Sequence, residues 1–97
     1  MASMAELKIL SALLENTTGE HYGYDLIKTT GLLSGTLYPI LARLENDGVL
    51  VSEVEDVNAR EVGRRPRRYY RLTGAGIKYA SNELNKLQKL IPVARTA

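Results

Sequence analysis

The chain has 97 residues, which is enough for one domain with a modest hydrophobic core and too few for two. Its hydrophobic fraction of 44%, its charged fraction of 25% and its net charge of +2 are ordinary for a folded protein and argue against intrinsic disorder. The sequence has no cysteine, no apolar stretch long enough to cross a membrane and no signal-peptide pattern, so we exclude disulfide and thiolate chemistry and expect a cytoplasmic protein without membrane contact.

Two short helices are predicted at the start of the chain. A stripe of leucine and isoleucine at helical spacing indicates the first helix, over residues 4–14. The polar segment ENTTGEHYG, residues 15–23, then interrupts the pattern and serves as a connector. A second helix follows over residues 24–30, and we expect it to end at Gly31.

A third helix is the clearest element and lies within LLSGTLYPILARLENDG, residues 32–48. The residues that predict its buried face are Leu37, Ile40, Leu41 and Leu44. Ser34 or Thr36 could cap its start, and Pro39 favours Thr36, because a proline at the third helical position removes no needed hydrogen bond. Gly48 is expected to end it. Since only a few residues separate the second and third helices, they predict a helix-turn-helix.

Two β-strands are predicted after the third helix, over residues 49–54 and 67–72, because both segments are rich in β-branched or aromatic residues. In the second strand, we expect Tyr70 and Leu72 to face the core. The polar segment EDVNAREVGRRP, residues 55–66, lies between the strands. The pair is therefore predicted to form a hairpin with a long tip.

A final helix is predicted after Thr73, which is a suitable cap. Its apolar residues form a seam with the alternating spacing of a coiled coil, and Pro92 is expected to end it. The seam residues are Ile77, Ala80, Leu84, Leu87 and Ile91. This seam could pack on the first helix of the same chain. It runs beyond the length needed to cover a small core, however, so we predict that residues 74–97 are a dimerisation helix and tail.

The order of these elements predicts the fold. Three helices, a two-stranded hairpin and a C-terminal helix make an α+β, mostly helical protein with the architecture of a winged helix-turn-helix. In that architecture the third helix enters the major groove of DNA, and the hairpin, or wing, flanks it on the backbone or in the minor groove. Residues 1–73 are therefore predicted to be the DNA-binding domain.

Positive charge is concentrated at the predicted wing. Residues 60–71 hold six arginines, no lysine and one glutamate, a local charge of +5, so the rest of the chain sums to −3. Gly63 and Pro66 shape a turn that we expect to project the neighbouring arginines outward. A solvated loop is the alternative, but a basic tip after a helix-turn-helix is placed to reach phosphates. The predicted backbone contacts are Arg64, Arg65, Arg67 and Arg68.

The polar side of the third helix is the second candidate surface. A hydroxyl-rich helix N-terminus allows backbone amides and side chains to meet a phosphate or a base edge. The candidate contacts are Ser34, Thr36, Tyr38 and Arg43. An ordinary solvent-facing helix with a capping hydroxyl is the alternative.

The sequence shows no pattern of a catalytic or metal site. The single histidine, His21, has no candidate nucleophile or metal ligand near it, and the acidic residues are scattered. We therefore predict no catalytic, metal or cofactor site.

Two segments carry a resemblance to a known family. HYGYDLIKTTGLLSGTLYPILARLENDGVL followed by GRRPRRYYRLTGAG resembles the PadR family of bacterial transcriptional regulators, over about residues 7–84. The resemblance implies a homodimeric winged-helix repressor of operator DNA, often released by a small molecule bound near the dimer interface. It also implies that the third-helix and wing residues named above contact DNA. Many members add a longer helical dimerisation domain, so this sequence resembles the short-tailed members.

We therefore expect a sequence-specific DNA-binding regulator, most simply a repressor that acts as a homodimer on a palindromic operator. One alternative is a winged-helix module that docks on a protein, although such a module has little reason to gather six arginines at its wing. Another alternative is a protein that binds nucleic acid by charge without sequence preference, which competition with unrelated DNA would separate.

Overall fold

The computed structural model describes residues 2–91, and it has the predicted α+β architecture. In chain order the elements are α1 (Met4–Leu14), β1 (His21–Tyr22), α2 (Gly23–Thr30), α3 (Ser34–Asn46), β2 (Leu50–Val54), α4 (Ala59–Val62), β3 (Arg68–Leu72) and α5 (Gly74–Leu90). The first three long helices, the hairpin of β2 and β3, and the C-terminal helix are all confirmed. The expected end of the last helix at Pro92 lies outside the described residues.

Local capping explains why the helices begin where they do. The Ser3 side chain accepts a hydrogen bond of 3.2 Å from the backbone N–H of Glu6, which starts α1 at the predicted residue. Thr73 does the same for α5, since its hydroxyl oxygen accepts from the N–H of Gly76 at 2.8 Å. The same hydroxyl donates to the carbonyl of Gly48 at 2.7 Å, so this cap also joins α5 to the end of α3.

The predicted start of α3 at Thr36 is wrong, because the helix begins earlier, with Leu33 as its N-cap. No side chain caps this end; instead the carbonyl of Leu33 accepts from the N–H groups of Thr36 and Leu37 at 3.0 and 2.9 Å. Pro39 consequently lies inside the helix, where it lacks the N–H that would continue the backbone ladder. The helix tolerates this loss because its buried leucines hold it in the core.

The three strands form an antiparallel sheet in the order β1-β3-β2. Leu50 lies opposite Leu72, and β1, which the sequence did not indicate, pairs with the middle of β3. The long tip of the hairpin, for which the sequence indicated no regular element, contains the short helix α4. The side chain of Asn58 caps this helix by accepting from the N–H of Arg60 at 2.9 Å, and Gly63 ends it with a left-handed φ of 73°. The wing is thus β2, α4 and β3.

The hydrophobic core lies between the helices and one face of the sheet. Tyr70 and Leu72 are buried in it, as predicted. Its members are Ile9, Leu10, Ala12, Leu13, Leu26, Leu37, Leu41, Leu44, Val49, Leu50, Tyr70, Leu72 and Ala80. Helix α5 packs along α1, and Ala80 is fully buried within the chain, so this residue is removed from the predicted dimer seam. Among residues 2–91, no helix has the length and hydropathy that a membrane span requires.

Candidate nucleic-acid interface

The N-terminal half of α3 presents an exposed surface beside the wing. Ser34 and Thr36 are exposed, while Leu37 on the other side of the helix is buried. Leu33, which the sequence did not indicate, is 79% exposed at the very start of the helix. An apolar side chain at that place is suited to contact a thymine methyl group.

The ring of Tyr38, a residue of α3, packs against the start of α2. A Cβ atom built on Gly23 would lie 2.5 Å from the Tyr38 hydroxyl oxygen, so only a glycine allows this ring to pack on the first residue of α2. The ring is still partly exposed, and its hydroxyl lies at the N-terminus of that helix. Tyr38 is therefore positioned to contact a ligand that lies against both α2 and α3.

Arg43 differs from the other candidate contacts because it is tied to the protein interior. Its guanidinium forms an ion pair with Glu6 of α1, whose side chain is only 2% exposed. Tyr79 of α5 donates a hydrogen bond of 2.7 Å to the same carboxylate. This contact raises the pKa of Tyr79 to about 12, and the bond to Glu6 likewise raises the pKa of Arg43. Glu6 thus joins three helices, and a DNA contact by Arg43 stays a prediction.

Arg64 is also engaged within the chain, so the expectation that its guanidinium projects outward is wrong. Its two terminal nitrogens donate to the carboxylate of Glu55 at 2.7 and 3.3 Å. The backbone N–H of Arg67 donates to the same carboxylate at 2.8 Å. The bond from Arg64, followed by that from Arg67, lowers the pKa of Glu55 to about 2. This cluster closes the base of the wing tip and neutralises the charge of Arg64.

Four wing arginines remain without a carboxylate partner among the described residues. Arg71 is not among them, because it pairs with Glu53 at 3.2 Å. Arg68 donates only to the neutral hydroxyl of Ser52, at 2.9 Å. The unpaired set is Arg60, Arg65, Arg67 and Arg68, and all four are exposed. The cationic surface of the wing is therefore smaller than the sequence suggested, and it is centred on the strand and the tip.

A cavity of about 350 Å³ opens where α3 meets the wing. Its lining residues are Tyr22, Gly23, Tyr24, Tyr38, Arg67, Arg68 and Tyr70. The hydroxyl of Tyr22 is already committed, since it donates to Glu20 at 3.0 Å and lies 3.3 Å from Glu55. The bond to Glu20 is the main reason that the pKa of Tyr22 is raised to about 12. The sequence did not predict this cavity, because its walls come from separate elements.

The predicted dimer seam lies along a second groove, of about 390 Å³, between α1 and α5. Leu84 and Leu87 line this groove together with Leu7. Ile77 is packed against the core, whereas Ile91 at the far end is exposed. The structure therefore leaves the C-terminal half of the seam accessible, and its role in dimerisation stays a prediction.

Comparison with known proteins agrees with this architecture. The model of the transcriptional regulator PadR-like family matches residues 9–82. The transcriptional regulator Rv3488 of Mycobacterium tuberculosis is 48% identical over 56 residues, which is 58% of this chain and about half, 48%, of that relative. A PadR-like transcription factor from Bacteroides fragilis is 30% identical, with a TM-score of 0.73 over 90% of this chain and 82% of the other. MepR of S. aureus, solved in complex with DNA, shares the fold at 18% identity, with a TM-score of 0.70 over 91% of this chain and 66% of that one.

Proposed function

Because the chain belongs to the PadR-like family of transcriptional regulators, we propose that it binds a palindromic operator in duplex DNA as a homodimer and represses transcription there. The observation that carries this proposal is the joint exposure of two surfaces. The N-terminal half of α3 is exposed and rich in hydroxyl groups, and the wing beside it holds arginines without carboxylate partners among residues 2–91. One surface suits base edges and the other suits phosphates.

The two surfaces have different tasks in this proposal. Ser34, Thr36 and Leu33 lie at the start of α3, where a helix placed in the major groove meets base edges. Arg65 and Arg68 lie on the wing, where they neutralise phosphates and release counterions without reading the sequence. Arg64 stabilises the wing through its ion pair with Glu55. Because its charge is neutralised there, it attracts DNA less strongly than its sequence position suggests.

Homodimerisation rests on the apolar groove between α1 and α5. Leu84 and Leu87 line it, and Leu90 and Ile91 add exposed apolar surface beyond it. A second copy covering these residues would place two recognition helices around a two-fold axis, which a palindromic operator requires. The same groove, of about 390 Å³, has room for a small-molecule effector next to the proposed contact between the two copies.

The alternatives are less well supported. A protein-docking module needs neither an exposed hydroxyl-rich helix start nor a cluster of unpaired arginines beside it. A protein that binds by charge alone would need the wing but not the exposed side chains of α3. The proposal therefore predicts that affinity and specificity are separable, with the wing responsible for the first and α3 for the second.

Selection of bound fragments from random duplex DNA tests the proposal. We expect the wild-type protein to enrich a palindromic consensus whose half-sites are about one helical turn apart. Thr36→Ala should weaken binding to that consensus by about 1–3 kcal/mol and leave random duplex nearly unchanged. Arg65→Ala is the matched control, since it should weaken both duplexes by the same factor. A protein that enriches no sequence, or binds no duplex at all, would contradict the proposal.

A further inference from the structure

Ser52, in the middle of β2, connects helix α3 to an arginine of the wing. Its hydroxyl oxygen lies 2.5 Å from Oε2 of Glu45, a residue of α3, and 2.9 Å from a terminal nitrogen of Arg68 on β3. A carboxylate only accepts hydrogen bonds and a guanidinium only donates them, so the direction of both bonds is fixed. The Ser52 hydroxyl therefore donates to Glu45 and accepts from Arg68. We call these two bonds the Ser52 bridge.

The Ser52 bridge lies on a well-anchored part of the hairpin. Val54, two residues after Ser52, lies opposite Arg68 in the antiparallel pair of β2 and β3. Ser52 and Arg68 are therefore diagonal neighbours on one face of the hairpin. Tyr70, which lies opposite Ser52 on this face, is buried in the core. Glu45 reaches the same face from α3, which packs against β2. The bridge thus joins the wing to the body of the domain.

Arg68 is held differently from the two wing arginines that pair with acids. Arg64 and Arg71 donate directly to the carboxylates of Glu55 and Glu53, which neutralise them. Arg68 donates to a neutral hydroxyl, and no carboxylate of residues 2–91 forms an ion pair with it. Its side chain is exposed, so its charge remains available to a ligand. The Ser52 bridge therefore orients this arginine without neutralising it.

An oriented arginine binds an anion at a lower entropic cost than a free one. Its long side chain has several rotatable bonds, and the loss of their freedom on binding opposes association. The Ser52 bridge restricts the Arg68 guanidinium before a ligand arrives, so less freedom is lost when the contact forms. The bond to Ser52 uses one N–H group of the guanidinium and leaves the others for phosphate oxygens.

We propose that Ser52, held by Glu45, is a positioning residue that presents Arg68 to the DNA backbone. The inference rests on the proposed function, in which Arg68 neutralises a phosphate while the start of α3 meets base edges. Because the bridge begins on α3, it fixes this phosphate contact relative to the helix in the major groove. A backbone contact has no base preference, so operator and random duplex should depend on the bridge equally.

Two substitutions at Ser52 test the bridge. Ser52→Ala removes the hydroxyl, and Ser52→Thr keeps it on a residue that suits a strand. We expect Ser52→Ala to bind operator and random duplex roughly three- to tenfold more weakly, and Ser52→Thr to bind both as the wild type does. The melting temperature of both variants should change by no more than about 3 °C, because both bonds of the bridge are exposed to solvent.

Combination with an arginine variant shows which cation the serine positions. Arg68→Ala should lose affinity for DNA, and adding Ser52→Ala should then cost little more, because the group to be positioned is already gone. Arg65→Ala is the matched control, since Arg65 is also exposed on the wing but is not part of the bridge. The losses caused by Arg65→Ala and Ser52→Ala should therefore multiply.

The role of Glu45 is tested with two variants that remove the same charge. Glu45→Gln keeps an acceptor for the Ser52 hydroxyl, whereas Glu45→Ala does not. Electrostatic attraction to DNA changes equally in both. We expect Glu45→Gln to bind DNA roughly two- to threefold more tightly than Glu45→Ala, and this difference should vanish when Ser52→Ala is also present.

The outcomes separate this inference from the proposed function. If the wild type binds no duplex, both fail. If the wild type binds DNA and Ser52→Ala binds as tightly, or if its effect is the same with and without Arg68, the positioning role alone is overturned. It is also overturned if Ser52→Ala has a much lower melting temperature, since the serine then acts through the fold. Equal affinities of Glu45→Gln and Glu45→Ala would overturn the part assigned to Glu45.

Discussion

Replacing Arg43 by Met should destabilise the protein, because it leaves a buried carboxylate without its counter-charge. Glu6 is almost fully buried, and the Arg43 side chain that neutralises it is 52% exposed. Breaking a buried ion pair typically costs about 3–5 kcal/mol. Here water reaches the arginine, and Tyr79 still donates to Glu6 in the variant, so we expect a smaller loss, about 2–3 kcal/mol. Methionine retains the apolar stem, so packing contributes little.

A double-mutant cycle isolates this contact. Glu6→Gln in the Arg43→Met background removes the unpaired charge and keeps an acceptor for Tyr79, so it should restore most of the lost stability. Urea unfolding followed by circular dichroism should show a lower midpoint with an unchanged slope. For a domain of this size, about 2–3 kcal/mol corresponds to a melting temperature roughly 10–20 °C lower.

Arg65→Met removes an arginine that has no carboxylate partner among the described residues, so its stability should stay within about 0.5 kcal/mol of the wild type. If Arg43→Met is as stable as that control and instead binds operator DNA more weakly, the ion pair with Glu6 is not structural. Arg43 would then be a DNA contact, as its sequence position suggested.

Three further measurements test other parts of the molecule. Arg65→Ala should reduce the slope of log affinity against log salt by about 0.9 per monomer, and an unchanged slope would mean that the wing tip is solvated. Leu87→Glu should convert a dimer into monomers in analytical ultracentrifugation, because it places a charge on the proposed apolar contact, while Asn82→Glu on the exposed side of α5 should not. A wild type that sediments as a monomer at micromolar concentration would contradict the proposed dimer. The Glu55 carboxyl should titrate by NMR near pH 2, and at a clearly higher pH in Arg64→Ala, where the bond from the N–H of Arg67 still holds its pKa below the ordinary value. Its pKa is lowered in the folded state, so the stability that it contributes is present above about pH 4.5 and is lost as the pH falls toward 2. Equal midpoints in the two proteins would refute this pairing.

The parts of the fold that sequence predicted are those with local signals. Helix α1 combines an apolar stripe with a serine cap within a few residues, and its bounds were predicted correctly. The β3 strand places Tyr70 and Leu72 on one face by simple alternation. Thr73 signals the start of α5 in the same local way. These predictions required no knowledge of which distant segments meet.

The features that sequence did not predict depend on distant contacts. Glu6 and Tyr79 are 73 positions apart, and Glu6 and Arg43 are 37 apart, so spacing along the chain gives no sign that they meet. The β1 strand is too short to show alternation, and it exists because β3 offers it a free edge. The residues that line the cavity where α3 meets the wing likewise come from separate elements. Candidate DNA contacts could be named from sequence, but their partners within the protein could not.

The carboxylate shared by three helices has a practical consequence for chimeric regulators. Exchanging the C-terminal helix for one with a different partner is attractive, and a junction immediately after Thr73 is the obvious choice. Such a junction would discard Tyr79 and Ala80, and with them a donor to Glu6 and a filled position in the core. A junction after Glu83, which is also buried, keeps all the buried residues of α5. The exchangeable unit is therefore the end of this helix, and its first half belongs to the DNA-binding body.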